Sequence, residues 1–190
     1  VNGGTINAQG DIVQNAASGG GTTAVNFASA GAQTWTVNGG TGPVPTLDAA
    51  EDASDSIVFA AAGGFGGFTV TAGFSGTIPI SNSSNYTISF GTGTYSQAAG
   101  TWPSGAWNMS LTGDFTLTGG TFNGGTGTMT HNAGGTVSLT GGTFNAPTTF
   151  EFSGFSVSTA LNVNVTQTFN NLRFNETNTA QGVTISSGDT

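Results

Sequence analysis

Most of the side chains that could take part in catalysis or metal binding in this sequence of 190 residues are acidic. The sequence contains nine Asp and Glu, one His, one Arg and no Cys. Four of the acids lie close together, at Asp48, Glu51, Asp52 and Asp55. Ca²⁺ binds about six to eight oxygen ligands, so this segment is a candidate calcium site. The spacing does not match an EF-hand loop, and a solvated acidic loop is the alternative interpretation. No other cofactor is expected.

The remaining acids are dispersed, at Asp11, Asp114, Glu151, Glu176 and Asp189. Paired carboxylates hydrolyse glycosides, which makes a polysaccharide-binding or polysaccharide-cleaving protein one alternative function. Asp114 and Asp189 each follow a glycine, an arrangement typical of turns. Because the sequence contains no Lys to act as a base, we expect a protein that is not an enzyme.

His131 and Arg173 are each the single representative of their residue type. His131 has no second His and no Cys with which to share a metal, so we expect a histidine at the surface or at a corner. Arg173 lies between Leu172 and Phe174, and the alternation predicts an outward side chain paired with Glu151 or Glu176.

The charge balance restricts the partners. Only 5% of the residues are charged and the formal net charge is −8, whereas nucleic-acid binding requires clustered Lys and Arg. No apolar run reaches the length of about 18 residues that a membrane-spanning helix needs. Thr, Ser, Asn and Gly in place of charged residues favour an extracellular or cell-surface location. No signal peptide begins at Val1, so we expect a mature chain or an excised segment.

Two further sets of residues could face partners. Trp35, Trp102 and Trp107 are expected to pack in a core or against a neighbour, and a sugar-stacking platform is the alternative. Five sequons are candidate glycosylation sites, although composition alone predicts about this number: Asn82, Asn85, Asn108, Asn164 and Asn175.

An internal repeat indicates the elements that position these residues. LTGGTFN occurs at 117–123 and again at 139–145, an offset of 22 residues. Such a unit cannot bury its own apolar face, and stacked copies would bury it for one another. We expect Leu117 to stack on Leu139, and Phe122 on Phe144.

The fold class that we predict is all-β, a parallel β-solenoid with coils of about 22 residues. Short segments alternate apolar and polar residues with a period of two, as in 86–90 and 161–165, and glycine pairs separate them. A single domain over 1–190 is expected, with surface excursions at 42–55 and 95–107. A β-sandwich completed by strand donation is the alternative.

Residues 168–174 (TFNNLRF) and 183–189 (VTISSGD), together with the LTGGTFN copies, resemble the tandem β-strand repeats of very large bacterial surface and adhesin-like proteins. The resemblance covers 107–190, and these repeats are broadly similar to those of the filamentous-haemagglutinin and autotransporter-passenger type. It implies a β-helical stalk exposed on a cell surface.

These observations together predict a structural subunit of an extracellular fibre or stalk that joins copies of itself head to tail. Written tail to head, the two ends read as an uninterrupted run of strands and turns, so we expect the junction at Val1, Ile6, Val183 and Ile185. A donor-strand pilin is the alternative for the same polymer. Further contacts with surface glycans or neighbouring filaments would suit such a fibre. Charge depletion fits this function, because a charge at a repeated position would face its own copy at about 4.8 Å.

Overall fold

Parallel strands follow one another in a repeating three-sided path along the chain. The computed structural model describes residues 3–19, 21–48, 54–132, 134–154, 158–164, 166–175 and 182–185. Within these ranges all the regular secondary structure is β-strand, and the predicted parallel β-solenoid is confirmed. We call one passage through the three sides a coil.

The first side is a nine-stranded sheet that runs the whole length of the coil stack. Its strands, in spatial and chain order, are β1 (Thr5–Ala8), β3 (Ala24–Phe27), β6 (Val44–Leu47), β9 (Phe68–Val70), β12 (Tyr95–Gln97), β15 (Phe115–Leu117), β18 (Thr136–Leu139), β21 (Thr159–Val163) and β23 (Val183–Ile185).

The second side consists of two shorter sheets. The four-stranded sheet contains β2 (Ile12–Gln14), β4 (Thr34–Val37), β7 (Ser56–Phe59) and β10 (Ile80–Ser81), and the three-stranded sheet contains β13 (Thr101–Trp102), β16 (Thr121–Asn123) and β19 (Thr143–Asn145). An isolated parallel bridge between Thr77 and Thr101 connects the two.

The third side is a seven-stranded sheet. It contains β5 (Thr41–Gly42), β8 (Gly63–Phe65), β11 (Ile88–Phe90), β14 (Met109–Leu111), β17 (Thr128–His131), β20 (Thr149–Ser153) and β22 (Leu172–Asn175). Every pairing between these named strands is parallel, as it is on the first two sides. The alternative of a β-sandwich is therefore wrong, since a sandwich is built from antiparallel sheets.

Alternating burial along each strand creates the core. In β4, Trp35 and Val37 are buried while Thr34 and Thr36 are half-buried and face outward. The same alternation recurs in successive coils, so inward residues stack into columns that run along the axis. Partners in these columns are 22 residues apart between β15 and β18, as the repeat predicts. The largest separation is 27 residues, from Phe68 to Tyr95.

The glycine pair of the repeat forms a corner between the first and second sides. Gly120 and Gly142 have φ angles of +73° and +71°, in the left-handed region that favours glycine. They also stack closely: a Cβ on Gly142 would collide with the Gly120 carbonyl oxygen, and one on Gly120 with that of Gly100. Glycine is thus required twice over, for backbone conformation and for the approach of neighbouring coils.

The excursion expected at 42–55 is wrong in its first part. Val44–Leu47 forms β6, and both Pro45 and Leu47 face the core. Pro45 has no N–H to donate, and the pairing of β6 with β9 begins only at Thr46. This strand is difficult to recognise in the sequence, because its alternation of apolar residues is short and acidic residues follow it. Residues 49–53 lie outside the described ranges.

The excursion expected at 95–107 is also wrong in its first part, whereas 103–107 belongs to the connection between β13 and β14. Tyr95 in β12 and Trp102 in β13 are fully buried, because these aromatic rings fill the centre of the core. The 27-residue coil results from the connections at 71–79 and 82–87, which both lie within it.

Candidate functional site: the faces and ends of the coil stack

The two copies of LTGGTFN lie directly over one another. Leu117 is in register with Leu139, and Phe122 with Phe144. The Phe122 and Phe144 rings are stacked, with centroids 5.6 Å apart and planes inclined by 10°. Asn145 donates a hydrogen bond of 2.7 Å to the Asn123 side chain. Identical residues therefore contact each other in successive coils and form a ladder of stacked side chains.

Aromatic rings extend this ladder through the middle of the core. Trp102 stacks on Phe122 at 5.8 Å, and Tyr95 stacks on Phe115 at 4.8 Å. Trp35 and Trp102 are fully buried and Trp107 is 8% exposed. The three Trp rings therefore belong to the interior, and the structure does not assemble them into an exposed platform for sugar stacking.

Buried glutamines hold the corners together. Gln97 Nε2 donates to the carbonyl oxygens of Gly100, at 3.1 Å, and of Thr121 in the next coil, at 3.0 Å. The Tyr95 hydroxyl donates to Gln97 Oε1 at 2.8 Å, and burial raises the pKa of this phenol well above its usual value, which keeps the donor protonated. Gln14 Nε2 similarly bonds the Gly64 carbonyl at 3.0 Å. Sequence reasoning missed these residues, because an isolated Gln carries no signal of burial.

Carboxylates at the corners bind backbone amides of neighbouring coils. Asp114 Oδ1 accepts the Thr136 N–H at 2.7 Å, and Asp11 Oδ1 accepts the Thr34 N–H at 2.8 Å. Each of these acids follows a glycine and precedes a strand. The turn role predicted for Asp114 thus takes the form of a link between coils, while Glu176 and Asp189 lie outside the described ranges.

The calcium hypothesis receives no support from the described acids. Asp55 is 3% exposed and its Oδ1 accepts the Gln33 N–H at 2.8 Å, so one carboxylate oxygen is committed to the backbone. Asp48 ends the alternation of β6, while Glu51 and Asp52 lie outside the described ranges. Among the described residues, no group of three or more His, Cys, Asp or Glu is placed to hold a metal.

His131 is fully buried, and the expectation of a surface or corner histidine is wrong. It has the inward parity of Met129 in β17 and stands in register between Leu111 and Phe152. Its Nε2–H donates to the Gly113 carbonyl at 3.0 Å. Burial lowers the pKa of the ring, and the Gly113 hydrogen bond and the nearby Asp114 charge oppose that shift.

The five sequons differ in their surroundings. Asn82 is 5% exposed, and its amide both donates to the Tyr86 carbonyl and accepts the Tyr86 N–H. A glycan on Asn82 would break these bonds. The other four side chains are exposed, at Asn85, Asn108, Asn164 and Asn175.

Among the described residues, large apolar side chains are exposed only near the two ends of the coil stack. They are Ile6, Val13, Leu172, Phe174 and Ile185. Val13 points outward, whereas the other four occupy inward columns at the points where those columns end. Of the residues expected at the junction, Ile6 is 47% exposed, Ile185 is 58% exposed and Val183 is partly buried. Val1 lies outside the described ranges.

Ile6 and Ile185 lie in the same column. On the first side the inward residues succeed one another from Ile6 through Val25, and on through Phe115, Val137 and Leu161 to Ile185. The two end faces therefore present the same sheet with the same parallel polarity and apolar residues at the same lateral position.

In comparisons with known proteins, no family model, curated protein or solved structure matches the chain. In the part of the chain that the structure describes, no helix is long and apolar enough to cross a membrane.

Proposed function

We propose that the chain is a structural unit of an extracellular fibre or cell-surface stalk, in which copies join head to tail by continuing the β-solenoid. The observation that carries this proposal is the position of Ile6 and Ile185 at opposite ends of one core column. A copy translated along the axis would place Ile185 against Ile6 and pair β23 with β1. Edge strands with unpaired N–H and C=O groups favour such pairing.

Head-to-tail contact uses two different faces, which makes the interface heterologous and open-ended. Continued translation of the same contact produces a fibre. The nine strands of the first side have eight steps of about 4.8 Å, and the pairing of β23 with β1 of the next copy adds a ninth, which gives an axial repeat of roughly 43 Å per copy. The depletion of charge supports the proposal further, since stacked coils would bring like charges into register.

The test combines electron microscopy with two end variants, Ile6→Lys and Ile185→Lys. The wild-type chain is expected to form fibres with the repeat of about 43 Å. Each variant places a charge on one end face and is expected to remain monomeric, because burial of an unpaired charge opposes the contact. Mixing the two variants leaves one good end on each partner and is expected to give a dimer that grows no further.

Val13→Lys is the matched control. Val13 is 63% exposed in the same coil as Ile6, but it faces outward, so its substitution is expected to leave fibre growth unchanged. Circular dichroism checks that all the variants retain β structure. A wild-type chain that stays monomeric at high concentration would overturn the proposal, and so would fibres that form equally well from either end variant.

A further inference from the structure

The outer surface of the first side carries a column of short polar side chains along eight of its nine strands. Strand registers place eight hydroxyl or amide residues in line: Asn7, Asn26, Thr46, Thr69, Ser96, Thr116, Ser138 and Asn162. Asn7 is exposed and the other seven are half-buried. This outer column lies on the longest uninterrupted sheet of the molecule, and we call it the polar column.

Charge is absent from the outward strand positions of this sheet. Asp48 and Asp114 stand at its two rims, immediately outside β6 and β15, and the ion pair of Glu151 with Arg173 lies on the third side. Two copies with a net charge of −8 would repel each other on approach in most orientations. The outward strand positions of the second side are uncharged too, but that side is divided into sheets of four and three strands. The polar column is therefore the longest face on which two copies can meet without bringing charges into the centre of the contact.

We propose that the polar column is a lateral docking surface for the same face of a second copy, so that fibres associate side by side. Flat parallel sheets with short uncharged side chains pack face to face at about 10 Å, with side chains from the two sheets interdigitating. Thr, Ser and Asn are short enough for that distance and can hydrogen-bond across it. The inference rests on the proposed function, because it concerns the contact between fibres.

The size of the face explains why assembly into fibres must come first. Eight strand steps span about 38 Å, and strands of three to five residues are about 10–17 Å wide, so one copy offers roughly 400–600 Å². A stable interface usually needs about 800 Å² from each partner. A single chain falls short of this area, whereas copies joined in a fibre add their contacts and gain avidity. Pairing is therefore expected between fibres and not between isolated chains.

Two serines provide a matched test. Ser96 in β12 and Ser89 in β11 are each the half-buried middle residue of a three-residue strand, but Ser96 belongs to the polar column and Ser89 to the third side. Ser96→Lys places an ammonium group in the centre of the proposed contact. Ser89→Lys places the same group on another face. The end faces are untouched in both variants, so both are expected to form fibres with the wild-type axial repeat.

Electron microscopy of the three proteins at equal fibre concentration reads out lateral pairing. Wild-type and Ser89→Lys fibres are expected to pair, and Ser96→Lys fibres to stay single. Fibres that are single in all three proteins, or equally paired in all three, would overturn the lateral contact and leave the head-to-tail proposal standing. Absence of wild-type fibres would overturn the head-to-tail proposal and this inference with it.

Discussion

Arg173 stands in register with Glu151 on adjacent strands of the third side, and Arg173 Nη1 lies 2.9 Å from Glu151 Oε2. The same outward column continues through Thr130, Ser110 and Ser89, which are uncharged. Opposite charges are thus accommodated at a stacked position where like charges would repel. This pair shows on a small scale why a chain built from stacked coils has few charges.

Arg173→Glu is expected to destabilise the fold by about 1 kcal/mol, because it puts two carboxylates at directly opposed positions. The ion pair itself contributes less, about 0.2–1 kcal/mol, since the Arg173 side chain is 59% exposed and screened by solvent. Urea unfolding of both single variants and of the exchanged pair, Glu151→Arg with Arg173→Glu, measures the coupling. If the exchanged pair lost as much stability as the two single variants lose together, the interpretation would be contradicted.

The buried His131 is expected to make stability depend on pH near neutrality. Its pKa is lower in the folded chain than the ordinary value of about 6.5, so the unfolded chain binds more protons between the two values. The contribution of neutral His131 to stability is therefore fully present above about pH 6.5. It is lost as the pH falls toward the pKa of the folded chain, by at most about 1.4 kcal/mol per pH unit.

Urea unfolding of wild type and His131→Phe at several pH values from 8 to 5 tests this expectation. The chain contains a single His, so the variant removes the imidazole titration altogether. Its stability is expected to be flatter over this range, whatever its absolute value. An unchanged slope in His131→Phe would show that another group is responsible.

The fold could be predicted from the sequence because one segment of the structural unit occurs twice. The identity of 117–123 and 139–145 gives the coil length directly, and period-two alternation gives the inward residues. The same parity places His131 inward beside Met129, a signal that the residue type obscured. The strands that contain Tyr95 and Trp102 are harder to predict, since two or three residues show too little alternation to be recognised.

The corner glutamines could not have been predicted in this way. The hydrogen bonds of Gln97 depend on the directions of carbonyl groups in two different coils, and those directions follow from the completed stack. The candidate end faces are an intermediate case. Strand alternation identifies Ile6 and Ile185 as inward residues, but only the registers of all the intervening strands place them in one column.

Gln97→Leu is expected to cost about 2–4 kcal/mol in the free energy of unfolding. The substitution keeps the volume nearly constant but leaves the buried Tyr95 hydroxyl without its acceptor, at a cost of about 1–3 kcal/mol. It also removes one hydrogen bond each from the Gly100 and Thr121 carbonyls, and the Gly100 carbonyl still accepts the Thr121 N–H. Gln9→Leu, at an exposed position, is the control and is expected to change stability by less than about 0.5 kcal/mol. Equal losses in the two variants would show that the buried bonds contribute little.

Gly142→Ala tests the corner of the repeat itself. The left-handed conformation at φ +71° costs an L-residue about 1–2 kcal/mol, and the added Cβ would collide with the Gly120 carbonyl of the preceding coil. We therefore expect a loss of at least this size in chemical unfolding. Gly10→Ala is the matched control, because its Cβ would meet nothing within 4 Å, and its stability is expected to change little or to rise. If both variants unfolded at the wild-type denaturant concentration, glycine at this corner would not be required by the stacking of coils.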